Sequence, residues 1–148
     1  MTAQEKPAQE VFVTHVGGAG FRIEVRRHEI LVDQPVGATA GGFDMGPTPT
    51  ELFVASVAGC AAYYGRTYLA RRSLPDRVDV VARWQFGAKP DRVAHIHLLV
   101  DAPGVPSDRA DVFRRVVENC LVHNTLANPP DVEFELKRSW HRGQPVAG

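Results

Sequence analysis

The chain has 148 residues, enough for one domain with a core of its own. Its 17 basic and 17 acidic side chains balance, which excludes a global electrostatic pull toward nucleic acid or an anionic membrane. The polar first ten residues lack a signal-peptide layout, and no apolar run approaches the roughly 20 residues that span a bilayer, so a cytoplasmic protein with no nucleic acid and no membrane partner is expected.

Residues 1–10 read as a disordered tail and residues 11–148 as a single domain. Residues 11–16 and 21–25 alternate as strands joined by Gly17-Gly-Ala-Gly20, and residues 28–32 form a third strand after a tight turn at Arg26 and Arg27. Residues 33–47, rich in Gly, Pro, Ala and Thr, read as a long loop of the kind that is functional or mobile. The glycine loop at 17–20 leads into a strand, whereas a phosphate cradle would open a helix.

Thr48-Pro-Thr-Glu51 is a capping box with proline at the first helical position, so a helix starts here. Its stretch from 52 to 62 carries no charge on any face, which predicts burial all round. Its small residues permit close approach of another backbone. Residues 78–86 and 92–100 form a long hairpin, and Ser107 is expected to cap a second helix. Val112, Phe113, Val116, Val117, Cys120 and Leu121 form its apolar stripe, with Asp111, Arg114, Arg115 and Glu118 on the other face. Pro129 and Pro130 forbid its continuation, and residues 132–136 alternate as a last strand. The order β-β-β-α-β-β-α-β is an α+β arrangement of helices against antiparallel sheet.

The two cysteines, Cys60 and Cys120, lie one in each helix. Each alone can be a small buried hydrophobe. If the helices pack together, the pair can also form a disulfide, which in a reducing compartment would be transient. Cys60 sits about three turns into its helix, too far from the N-terminus to gain acidity there, so a reactive thiolate needs a nearby cation. Cys120-x-x-His123 could be half a zinc site, and His95 and His97 share a strand face, but no fourth ligand accompanies them; neither metal nor cofactor is expected. His123 is expected near the carbonyls of a helix end. Glu51 has a sufficient explanation in the capping box.

Gly46-Pro-Thr-Pro-Thr-Glu-Leu-Phe53, the Ala58-Gly-Cys60 that follows, and Cys120-Leu-Val-His-Asn-Thr-Leu126 together resemble the OsmC/Ohr family over residues 11–136. The resemblance implies an intertwined homodimer with two long central helices, wrapped by curved sheets, and active sites at the subunit interface. It implies a thiol peroxidase acting on organic hydroperoxides in oxidative stress defence, with an external dithiol as reductant. Cys60 would attack the peroxide and Cys120 would resolve the sulfenic acid to a disulfide. The peroxidase branches add a Glu ten residues before the first cysteine and an Arg after a Gly-Gly in the first hairpin. Here those places hold Thr50 and Ala19; Glu51 comes one residue late, and Arg22, Arg26 and Arg27 are the nearest arginines, Arg22 first. Thr48-Pro-Thr-Glu resembles a less characterised branch. The alternative is a non-enzymatic dimer that binds a small hydrophobic ligand or senses redox state.

Overall fold

The computed structural model describes residues 9–138. The expected tail at 1–10 therefore lies almost wholly outside the described residues.

The alternating segments form strands as their pattern requires. β1 (Val11–Gly17), β2 (Gly20–Val25) and β3 (His28–Val32) make one antiparallel sheet in sequential order, with Arg22 opposite Thr14 on one side and Leu31 on the other. Arg26 takes a positive φ in the tight turn before β3. The loop that follows is fastened rather than loose. Asp33, buried, accepts the backbone amides of Gln34, Phe43 and Met45 at 2.7, 3.1 and 3.2 Å, and its own amide donates to Pro47. Burial pushes the Asp33 carboxyl up, but the amides of Gln34, Met45 and Phe43 outweigh it and hold the group below its ordinary value. Gly18, at φ +54, lies against Gly41, where a Cβ would collide with the Gly41 carbonyl; Ala19 donates to that carbonyl at 2.8 Å.

α1 (Pro49–Ala70) starts as its sequence dictates. Thr48 Oγ1 accepts the Glu51 amide at 3.2 Å, and the Glu51 carboxylate accepts the Thr48 amide at 2.7 Å. The helix packs mainly against β4 (Asp79–Gly87), β5 (Arg92–Asp101), α2 (Ala110–Glu118) and α3 (Leu121–Ala127). Ala61, Tyr68, Leu69, Phe113 and Val117 form the core, with Leu98 and Val100 of β5 against it. Arg72 closes the helix end, lying over the Tyr68 ring at 3.8 Å and donating to the Tyr68 carbonyl.

The mixed α+β class and the antiparallel sheets stand, and four details of the expected order change. First, α1 is not buried all round: Phe53, Ser56, Gly59 and Tyr63 on its outer face are exposed, because none of the described residues covers them. Second, Ser107 caps no helix; it opens a 3-10 turn (Ser107–Arg109) before α2. Third, the second helix breaks at Asn119, whose φ −92, ψ 23 leaves the helix while its side chain donates to the Arg115 carbonyl at 2.8 Å. Cys120 is then extended and becomes the N-cap of α3. Fourth, residues 132–136 form no strand within this chain. β4 and β5 make a two-stranded sheet, and the last segment stands away from it with Phe134 94% and Leu136 91% exposed.

Candidate functional site: the cysteine pair and its cavity

Cys60 is carried by the middle of α1 and Cys120 by the joint between α2 and α3, and α1 packs on both of those helices. The packing follows from sequence: Gly65 leaves room for Phe113, whose ring would lie 2.9 Å from a Cβ at that position, and α2 therefore approaches α1 closely. The outcome is that the two thiols are neighbours, near enough for Cys60 to shift the titration of Cys120. Neither is bonded to another sulfur; both are free.

Their settings differ. Cys60 is half-buried at a mid-helix position remote from either helix end. Cys120 is only 1% exposed, and its sulfur accepts the His123 backbone amide at 3.5 Å. Burial raises the Cys120 thiol above its ordinary value; the amides of His123 and Val122 pull the other way, and the adjacent Cys60 adds to the rise. Cys120 is therefore a neutral thiol at physiological pH.

A cavity of about 660 Å³ opens beside Cys120. Val57 and Ala61 of α1, Phe113 and Val117 of α2, Leu126 of α3 and the strand run 96–100 line it, so its wall is mostly apolar. Its polar groups are His97, Arg114, Glu118 and His123. Arg114 and Glu118, expected on the solvent face of the second helix, thus border the space that Cys120 faces. His123 sits in the first turn of α3, not at a helix C-terminus. The signal for it was the Cys120-x-x-His123 spacing, which equals the cap-to-third-residue spacing of a helix start. His95 and His97 lie on β5, opposite Gln85 and Arg83. Among the described residues no three His, Cys, Asp or Glu side chains cluster as a metal would need.

The other two expected site residues are not brought to the pair within one chain. Glu51 is engaged in the cap and lies nine helical positions before Cys60, about 13.5 Å along the axis and half a turn around it. Arg22 lies on the β1–β3 sheet, which is not among the elements that α1 chiefly contacts, and Arg26 and Arg27 occupy the turn at the far end of β2.

The family model of OsmC-like proteins matches residues 42–135, which includes both cysteines and excludes the first sheet. None of the curated proteins matches the sequence. Solved structures share the fold. A Psychrobacter arcticus 273-4 protein, named for an osmotic stress induced and detoxification response, aligns over 83% of this chain and 91% of its own at 18% identity, with TM-score 0.71. An OsmC like protein from Mycoplasma pneumoniae aligns over 83% and 89% at 12% identity and TM-score 0.64. An organic hydroperoxide resistance protein from Legionella pneumophila aligns over 82% and 91% at 19% identity and TM-score 0.56. At these identities the likeness is one of fold.

Proposed function

We propose that this chain, which belongs to the OsmC-like protein family, is a dithiol redox protein that reduces organic hydroperoxides through Cys60 and Cys120 and acts as a homodimer. The observation that carries the reading is the adjacency of two free thiols on separate helices beside an apolar cavity. The name of the Legionella relative points the same way.

In this reading the Cys60 thiolate attacks the distal oxygen of the hydroperoxide. The O–O bond breaks, the alkoxide takes a proton and leaves as an alcohol, and Cys60 becomes a sulfenic acid. The Cys120 sulfur then displaces the hydroxyl; a disulfide forms and the hydroxyl leaves with the thiol proton as water. An external dithiol returns both cysteines to thiols and is itself oxidised to a disulfide. The division of labour follows the settings. A thiol held neutral by burial does not compete for peroxide, so Cys120 suits the second step. An apolar wall lets the alkyl part of the substrate leave water. The homodimer is supported by the bare outer face of α1, since obligate interfaces are large and apolar. Arg22 and Glu51 retain a role only if the partner copy brings the arginine to Cys60.

The test is single turnover with an alkyl hydroperoxide and no reductant, read by intact mass. The wild type should lose about 2 Da on forming the disulfide, Cys120→Ser should gain about 16 Da and stop, and Cys60→Ser should not change. Equal oxidation of both variants would overturn the assignment. A second reading, a dimer that holds a small apolar molecule and uses the thiols as a redox sensor or as packing, is favoured by the cavity itself. It prevails if Cys60 alkylates like a free thiol, near pH 8.5, in the wild type and in Arg22→Ala, Arg26→Ala and Arg27→Ala alike.

A further inference from the structure

The start of α3 repeats the start of α1 with different chemistry. At α1, Thr48 Oγ1 accepts the Glu51 amide at 3.2 Å, and the Glu51 side chain turns back to the Thr48 amide at 2.7 Å. At α3 the Cys120 sulfur takes the hydroxyl's part and accepts the His123 amide at 3.5 Å. His123 then stands where Glu51 stands, at the third helical position, from which a side chain reaches back beside the capping group. One difference matters. The Cys120 amide already donates to the Val117 carbonyl at 3.3 Å, so this cap has no need of the imidazole. Among the described residues the imidazole has no hydrogen-bond partner, and it borders the same cavity as Cys120.

We propose that His123 is the proton carrier of the resolving step, taking the thiol proton from Cys120 and handing it to the hydroxide that leaves Cys60. This rests on the dithiol reading above and concerns its second half. Only a thiolate is an effective nucleophile, and burial keeps Cys120 protonated, so the second step needs a base. The neutral imidazole accepts the proton from Sγ. The Cys120 thiolate attacks the Cys60 sulfur, the S–S bond forms and the S–O bond of the sulfenic acid breaks. The departing hydroxide takes the proton back from the imidazolium and leaves as water, so the imidazole ends as it began.

The other polar groups around Cys120 serve less well. Arg114 has no capacity to accept a proton. Glu118 belongs to α2, before the break at Asn119, and a carboxylate is a weaker base than an imidazole. His97 lies on β5, opposite Arg83, and among the described residues nothing ties it to the sulfur. From α1 the cavity receives only Val57 and Ala61, and the nearby Cys60 is the other reactant. His123 alone is held to Sγ by a bond of its own residue, and imidazole is the side chain suited to exchanging a proton near neutral pH.

Two single-turnover measurements on the full chain test the inference. In the first, one equivalent of tert-butyl hydroperoxide is added and the sulfenic acid is followed to disulfide by intact mass. In the second, Cys60 carries a mixed disulfide with 5-thio-2-nitrobenzoate, and attack by Cys120 releases the coloured thiolate, with no peroxide involved. His123→Gln keeps the backbone amide on the sulfur. It should slow resolution at least tenfold in both at pH 7, within the range of about 10²–10⁴ typical of general acid–base steps, and leave the first oxidation unchanged. The deficit should shrink toward pH 10, where the thiol ionises without help. Added imidazole should restore part of the rate to His123→Ala. A wild type inert to the peroxide whose mixed disulfide still resolves with this dependence on His123 removes the peroxidase reading and keeps the proton carrier. Equal resolution rates in wild type and His123→Gln overturn the inference and leave the dithiol reading standing. A deficit that ignores both pH and imidazole marks a structural role and overturns it too, as does a pH profile that moves with His97→Gln instead.

Discussion

On the inner face of α1, Val54, Val57, Ala61, Gly65, Tyr68 and Leu69 are buried, whereas on the outer face Phe53, Ser56, Gly59 and Tyr63 stand open, Tyr63 65% exposed. The two faces are alike in composition, apolar and small, yet only one has neighbours. Hydropathy therefore tells that a helix must be covered and not how many chains the covering takes. Cys60 is half-buried between the two faces, which is where a site shared by two copies would place it.

The largest blow to the inner face is Phe113→Ala, which removes the ring that packs on Gly65 and stacks edge-on with Tyr68 at 5.7 Å. It should cost about 3–5 kcal/mol in urea unfolding. Gly65→Ala is the smaller core test. A Cβ there meets Phe113 at 2.9 Å and Val117 at 3.5 Å, so about 1–3 kcal/mol should be lost by the same measurement. Gly59→Ala probes the outer face with the same chemical change. Nothing lies within 4 Å of its Cβ in the single chain, and helix propensity favours alanine by about 0.8–1.0 kcal/mol. Chain stability should rise by up to that amount while self-association weakens, read by sedimentation alongside urea. Equal losses at the two glycines would break the comparison.

The smallest effect is on titration. Alkylation of Cys120 against pH should reach its midpoint above that of a free thiol, and Cys60→Ser should bring it partway down, because the neighbouring thiol is one cause of the rise. The sign for stability follows. A thiol raised on folding keeps its proton longer than in the unfolded chain, so its contribution is fully present below the unfolded value near pH 8.5 and is lost as pH climbs through the folded one. Urea midpoints measured from pH 7 to 10 should fall accordingly, and less in Cys120→Ala than in the wild type.

Much of this was legible in advance for physical reasons. Thr48-Pro-Thr-Glu51 marked the start of α1 because the box is local: its two hydrogen bonds need nothing outside four residues. Alternation marked β1 to β5 because one face of each sheet must differ from the other. The neighbourhood of Cys60 and Cys120 was conditional in the sequence, on two apolar helices packing together; α1 does pack on α2 and α3. The break at Asn119 was hidden because Val116, Val117, Cys120 and Leu121 keep the helical period across it; the break is decided by one residue's φ and ψ. The strand at 132–136 was read from a true alternation, but a strand also needs a partner edge, and none of the described residues pairs with it. Arg114 was set on the solvent side by periodicity alone, which cannot see that β5 and α3 enclose a cavity there.

The buried Asp33 carries a consequence for how the chain folds. The stretch from 33 to 47 reads as a long loop whose ordering would cost much conformational entropy. By gathering the amides of residues 34, 43 and 45, the carboxylate closes it into a ring of about ten residues. Closing a ring of that size takes about 10–100 ns, and its entropic cost grows only with the logarithm of its length. The hinge between the first sheet and α1 can therefore form early and locally, before any contact between the distant cysteines is made. An Asp33→Ala chain would have to order the same residues with no such knot.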